Sequence, residues 1–178
     1  MRAALAALSI LLAGCGINAR LSLAPTLDTA GRVGFEARVS GGFGPGDRDW
    51  ALTVDPYVNV GYYDVPGEQV TVGGGGGFSL TSVGDDSFAL YAGIFGGGRG
   101  SVGLPAGSSG SGNFGVELAA GYALQNIFTP GSNFIIHTDG DREALILGLG
   151  LRVEGVFGAG DGRALFALPV YLQLYWGT

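Results

Sequence analysis

The sequence predicts an all-β fold, an eight-stranded antiparallel up-and-down β-barrel of the membrane type. Long stretches alternate apolar residues with small or polar ones, and this period of two is typical of a strand with one apolar and one polar face. Several of these stretches exceed the usual soluble strand of about 5–6 residues. After the N-terminus, no uninterrupted apolar run is long enough for a transmembrane helix.

The clearest strand is the stretch from Trp50 to Tyr62. Its length fits a strand that crosses a bilayer at a tilt, which needs about 9–11 residues. The apolar register begins with a tryptophan and ends with a tyrosine, as expected of aromatic residues at the two membrane interfaces. For this stretch alone, a half-buried strand of a soluble protein remains an alternative. The apolar register consists of Trp50, Leu52, Val54, Pro56, Val58, Val60 and Tyr62.

Seven further stretches complete the predicted barrel, and turns rich in Gly, Pro and Asp separate most of them. The first is the weakest, because only Leu21 and Leu23 alternate before Pro25. Five successive glycines, Gly73 to Gly77, interrupt another and predict sharp bending or a close approach of backbones. The stretches are 20–27, 32–41, 69–81, 87–97, 113–124, 144–157 and 163–176.

Two segments are predicted as long connections. Residues 98–103 match G-x-G-x-x-G, but Pro105 and a run of Ser and Gly follow where a dinucleotide site needs a helix. We therefore interpret 100–112 as a flexible loop. Residues 125–143 form the longest connection, in which 134–136 are a candidate for a short additional strand.

This pattern resembles the small eight-stranded outer-membrane barrels of the OmpA and OmpX type over residues 20–176. The resemblance implies a location in the outer membrane of a Gram-negative bacterium. The last strand, with Leu172, Leu174 and Trp176, is similar to the outer-membrane assembly signal, but Gly177 and Thr178 follow its terminal aromatic residue.

The N-terminal residues have the organisation of a targeting segment. Arg2 precedes a short apolar run, and Leu12-Ala13-Gly14-Cys15 resembles a bacterial lipobox. The resemblance implies that residues 1–14 are a lipoprotein signal peptide, that Cys15 is lipidated, and that 15–178 form a single barrel domain. An ordinary secretory signal with an incidental cysteine is the alternative.

If the apolar residues of each strand face lipid, the residues that alternate with them face the lumen. An eight-stranded lumen is just wide enough to be filled by such side chains. Four acids face two arginines there, so we expect Arg38 and Arg152 to pair with two or more of the acids, beside trapped water or partly protonated acids. A structural network is favoured over a polar gate or narrow pore. The predicted lumen network is Glu36, Arg38, Asp55, Asn59, Glu117, Arg152 and Glu154, and the predicted aromatic girdle is Trp50, Tyr62, Tyr122 and Trp176.

No catalytic, metal or cofactor site is predicted. Ser132 and His137, with Asp139 or Asp141, could be combined into a triad like that of barrel deacylases, but we favour solvated loop residues. The net charge of −6 and the pI near 4.5 argue against a nucleic-acid partner.

The leading functional hypothesis is a non-enzymatic outer-membrane lipoprotein barrel with a structural, adhesion or envelope-assembly role. Its partners would be outer-membrane lipid and other envelope proteins. The alternative is a lipid-tethered periplasmic barrel, similar to a lipocalin, that binds a hydrophobic ligand. The two differ in whether the apolar register faces outward or inward, which the sequence leaves open.

Overall fold

A computed structural model describes residues 15–63, 70–101, 110–125, 142–158 and 161–177. These residues form one closed, antiparallel β-barrel. No helix in this part of the chain has the length and apolar character needed to cross a membrane.

Nine strand segments build the barrel, and each of the first seven pairs with the next along the chain. The first strand closes the barrel, because it pairs with the second strand on one side and with the last two segments on the other. The segments are β1 (Cys15–Asp28), β2 (Val33–Pro45), β3 (Trp50–Tyr63), β4 (Val70–Val83), β5 (Phe88–Ser101), β6 (Ser111–Gln125), β7 (Arg142–Gly158), β8 (Asp161–Ala167) and β9 (Val170–Gly177).

The segments β8 and β9 are two halves of one barrel strand, so the predicted number of eight strands is confirmed. Proline has no backbone N–H, and Pro169 therefore interrupts the ladder between the two halves. The register is the same on both sides of the break, since Thr26 pairs with Ala167 and Leu23 pairs with Val170.

Three predicted strand limits are wrong. The first strand begins at Cys15 rather than at residue 20. The second strand runs to Pro45 rather than to residue 41. The fifth strand runs to Ser101, so residues that were expected in a loop pair with β4 and β6. In all three places the sequence contains too few large apolar residues for the alternation to be recognised.

The apolar register faces outward along every barrel strand. Val58, in the middle of β3, is 59% exposed, whereas its neighbour Asn59 is 1% exposed. Along the described strands, none of the exposed residues is charged. Glu143, which shares the outward register of β7 with Leu145, is buried. The charged side chains that point into the lumen are those of Arg20, Glu36, Arg38, Asp55, Arg99, Glu117, Arg152 and Glu154. This arrangement is the opposite of the one that a soluble carrier of apolar ligands requires.

The glycine run of β4 lies where two strands approach closely, as predicted. A Cβ atom on the inward-facing Gly75 would lie 2.6 Å from the Cα of Gly97 on β5. The outward-facing Gly76 is less restricted, because its Cβ would meet only the carbonyl oxygen of Asp55, at 3.8 Å. The inward glycines are therefore required by the backbone, whereas the outward ones are not.

The barrel has two rims. The terminal rim contains Cys15, Gly177 and the turns at 46–49 and 84–87, and the far rim contains the turn at 29–32 and the strand ends Gly158 and Asp161. Trp50 and Trp176 lie at the terminal rim.

Candidate functional site

The lumen holds the densest group of charged side chains in the described residues. At its centre is the arginine–glutamate cluster, which consists of Glu36, Arg38, Arg99, Arg152 and Glu154. Three strands supply these residues: β2 the first two, β5 Arg99, and β7 the last two. Their side chains are between 0% and 7% exposed, so the cluster has almost no contact with bulk water.

Arg99 connects the two glutamates of the cluster. Its Nη2 lies 2.6 Å from Glu36 Oε2, and its Nε and Nη2 each donate a hydrogen bond of 2.9 Å to Glu154. Its Nη1 donates to the hydroxyl of Tyr63 at 3.0 Å. A guanidinium is suited to this position because its planar fork can bind a carboxylate with two parallel N–H donors.

Arg38 and Arg152 each contact both glutamates. Arg38 Nη2 lies 3.5 Å from Glu154 and its Nε lies 3.8 Å from Glu36. Arg152 donates a hydrogen bond to Glu36 and lies 3.9 Å from Glu154. Each glutamate therefore contacts three arginines, and the two buried negative charges are compensated by three positive ones.

A second ion pair lies outside this cluster. Arg20 of β1 donates a hydrogen bond to Glu117 of β6, on the other side of the lumen. The guanidinium lies 3.9 Å from the ring centre of Tyr91 and 4.1 Å from that of Tyr171. Arg20 is the only basic partner of Glu117 within the described residues.

Asp55 of β3 is held in a different way. Thr53, Ser79 and Asn18 donate hydrogen bonds to its carboxylate, at 2.7 Å from the threonine and 3.2 Å from the asparagine. Among the residues that the structure describes, no arginine lies within 4 Å of this carboxylate. Asp55 is thus solvated by neutral donors while its charge has no direct counter-ion.

Apolar clusters lie in the lumen on both sides of these polar layers. Towards the terminal rim the core is built from small apolar residues and two tyrosines, Tyr171 and Tyr175. Towards the far rim, Tyr63 packs with Val156 and Leu165. The charged layers are consequently enclosed between two apolar layers.

The seven residues predicted for the lumen network all lie in the lumen and are buried. The expectation that four acids face only two arginines is wrong, because Arg20 and Arg99 also lie inside. Arg38 and Arg152 contact Glu36 and Glu154. Asn59 takes no part in a hydrogen bond with the described residues, and both polar atoms of its side chain are buried.

The four residues predicted for the aromatic girdle are divided unequally between the rims. Trp50, Tyr122 and Trp176 lie near the terminal rim, and Tyr62 lies near the far rim. All of them belong to the outward register, although Trp176 is only partly exposed. The positions of these rings are compatible with an aromatic girdle, which stays a prediction.

The predicted lipidation site is the first described residue. Cys15 occupies the outward register of β1 at the terminal rim and pairs with Pro45 of β2. The proposed signal peptide, 1–14, and the residues of the candidate triad, Ser132, His137, Asp139 and Asp141, lie outside the described residues. The part of the chain that is described contains no group of three or more potential metal ligands.

Comparison with known proteins shows the fold only. No family model and no curated protein matches the sequence. Among solved structures, the barrel is similar to neisserial surface protein A, with a TM-score of 0.54 and 17% identity over 90% of this chain and 95% of that chain. It is also similar to the outer membrane enzyme PagL, with a TM-score of 0.52 and 14% identity over 86% of this chain and 97% of that chain. One of these two proteins is an enzyme, so the shared fold does not decide whether this chain has a catalytic activity.

Proposed function

We propose that this chain is an integral outer-membrane lipoprotein of a Gram-negative bacterium with a structural, adhesion or envelope-assembly role and no enzymatic activity. One observation carries the proposal: the barrel exposes an uncharged, apolar wall and encloses its charged side chains. Such a surface is stable in hydrocarbon and would aggregate in water. The solved structures with a similar fold support the same location.

The lumen supports a role as a scaffold rather than as a channel. The arginine–glutamate cluster fills the centre, and apolar layers lie on both sides of it. Eight strands also leave a lumen only wide enough to be filled by side chains. Function would then reside on the rims and on the outer wall, where lipid and other envelope proteins can be contacted.

The position of Cys15 is compatible with a lipid anchor. Because the residue lies in the outward register at the terminal rim, acyl chains attached to it would enter the bilayer directly beside the barrel wall. Because the apolar wall already holds the barrel in the membrane, a lipid anchor would add a second attachment. A strand that begins at the acylated residue would leave no flexible linker between lipid and barrel.

Membrane fractionation tests the location and the anchor separately. Metabolic labelling with a fatty-acid probe should mark the unaltered protein and not Cys15→Ser. The Cys15→Ser variant should nevertheless resist extraction by carbonate or urea, since the barrel spans the bilayer. Release of this variant into the soluble fraction would contradict an integral barrel, and equal labelling of both proteins would contradict only the anchor.

Purified protein tests the absence of transport and of catalysis. Reconstitution into planar bilayers should give no stable conductance steps. Incubation with lipopolysaccharide or phospholipid should give no deacylated product, and the His137→Ala variant should behave like the unaltered protein. Product formation that disappears in His137→Ala would replace the proposal with a lipid-modifying enzyme.

A further inference from the structure

The charges inside the barrel balance only when the lumen is taken as a whole. Arg20 and Glu117 neutralise each other, and Asp28 and Glu143 lie at the ends of their strands, at the rims. The arginine–glutamate cluster then holds three positive and two negative groups, which leaves one positive charge in excess. Asp55 is the one remaining buried carboxylate, and it has no direct counter-ion in the described residues.

Arg38 is the member of the cluster that faces Asp55. The two side chains line the same small cavity, which has space of about 20 Å³ for water-sized occupants and is also lined by Ser40, Tyr57 and Tyr91. A cavity of about 10–15 Å³ on this measure is enough for one water molecule, provided that two to four polar groups surround it. Arg38, Asp55 and Ser40 supply polar groups to the lining, which Gly77, Phe78, Ile94 and Phe95 complete.

Arg38 also has a donor available for such a water. Its Nε is buried and makes no hydrogen bond within the described residues, although its Nη2 contacts Glu154. A buried N–H without an acceptor costs roughly 1–3 kcal/mol, so an acceptor beside it is strongly favoured. The rings of Tyr57 and Phe95 each lie 4.2 Å from the guanidinium carbon and hold the group in place.

We propose that this cavity is a binding site for one ordered water molecule that accepts a hydrogen bond from Arg38 Nε and donates one to the carboxylate of Asp55. Ser40 can supply a further hydrogen bond from the wall of the cavity. The water connects the neutral-donor layer around Asp55 with the arginine–glutamate cluster, and the six charges of Asp55 and the cluster then form one electroneutral network. A water-mediated bond of this kind is nearly as favourable as a direct one.

A double-mutant cycle tests the connection. Asp55→Asn and Arg38→Met are made singly and together, and the urea midpoint of unfolding is measured for each barrel in lipid vesicles. The double variant should lose clearly less than the sum of the single losses, because each single variant already breaks the bridge. The matched control cycle combines Asp55→Asn with Arg163→Met at the far rim, and its effects should add. Additive losses in both cycles would overturn the proposal.

If one of these variants does not insert into lipid vesicles, a crystal structure of the unaltered protein still tests the proposal. A high-resolution crystal structure of the unaltered protein should show a water within about 3.2 Å of both Arg38 Nε and an oxygen of Asp55. An empty cavity, or a direct contact between the two side chains, would overturn the proposal.

Discussion

Arg20 and Arg152 are both buried in the lumen, yet replacing Arg20 by methionine should be the more damaging change. Removing one partner of a buried ion pair costs about 3–5 kcal/mol, because the other partner is left as an uncompensated charge. In Arg152→Met, Glu36 keeps Arg99 at 2.6 Å and Arg38 at 3.8 Å. We therefore expect a loss of about 3 kcal/mol, at the lower end of that range.

Arg20→Met leaves Glu117 with no basic partner in the described residues, so the upper end of the range applies. The variant also loses the contacts of the guanidinium with the rings of Tyr91 and Tyr171, each worth roughly 0.5–2 kcal/mol. The expected loss is about 5 kcal/mol or more, which approaches the whole stability of a small domain, 5–15 kcal/mol. The combined variant Arg20→Met with Glu117→Gln should recover most of this loss, because it removes the stranded charge.

Urea unfolding of the barrel in lipid vesicles, followed by circular dichroism, measures these differences. Arg163→Met is the control, since this side chain is 31% exposed at the far rim and lies 3.8 Å from Asp28, and its replacement should change stability by less than about 1 kcal/mol. The explanation fails if Arg152→Met costs as much as Arg20→Met, or if removing Glu117 as well brings no recovery.

Two further predictions concern the wall of the barrel. Val58→Arg places a charge on the outer face near the middle of β3, which should cost roughly 2–4 kcal/mol of stability and lower the yield of inserted barrel. A fluorescent label at position 58 should be quenched by brominated lipid. Quenching at position 59 instead would show that the two faces of the strand are reversed. Gly75→Ala should prevent folding, because its Cβ would lie 2.6 Å from the Cα of Gly97, whereas Gly76→Ala should fold normally, because its Cβ has an oxygen of Asp55 at 3.8 Å. Comparable yields of folded barrel from the two alanine variants would contradict the assignment of close approach to the inward glycines.

The strand pattern was predictable wherever large apolar residues mark one register. The stretch from Trp50 to Tyr62 is such a case, and the structure confirms both its length and its alternation. Arg20 and Arg99 were missed for a local reason. Ala19 and Pro25 weaken the alternation around Arg20, and glycines occupy both registers just before Arg99, so neither arginine could be assigned to a face.

The contacts across the lumen could not be predicted in the same way. Neighbouring strands of an up-and-down barrel follow from chain order, but Arg20 of β1 meets Glu117 of β6 from a strand that is not its neighbour. Which side chains meet across the lumen depends on the tilt and stagger of all strands together. Alternation within one strand carries no information about tilt or stagger. The partner of each charged side chain could therefore be identified only from the structure.

Both tryptophans of the chain lie at the terminal rim, and this has a consequence for following the barrel into a membrane. Tryptophan fluorescence of the protein therefore reports when the terminal rim reaches the membrane interface, and it carries no signal from the far rim. A kinetic trace recorded on the unaltered chain describes the arrival of one rim only. Tyr62→Trp in a chain whose native tryptophans are replaced by phenylalanine would report on the far rim. The delay between its fluorescence change and that of the unaltered protein would give the order in which the two rims reach the membrane interface.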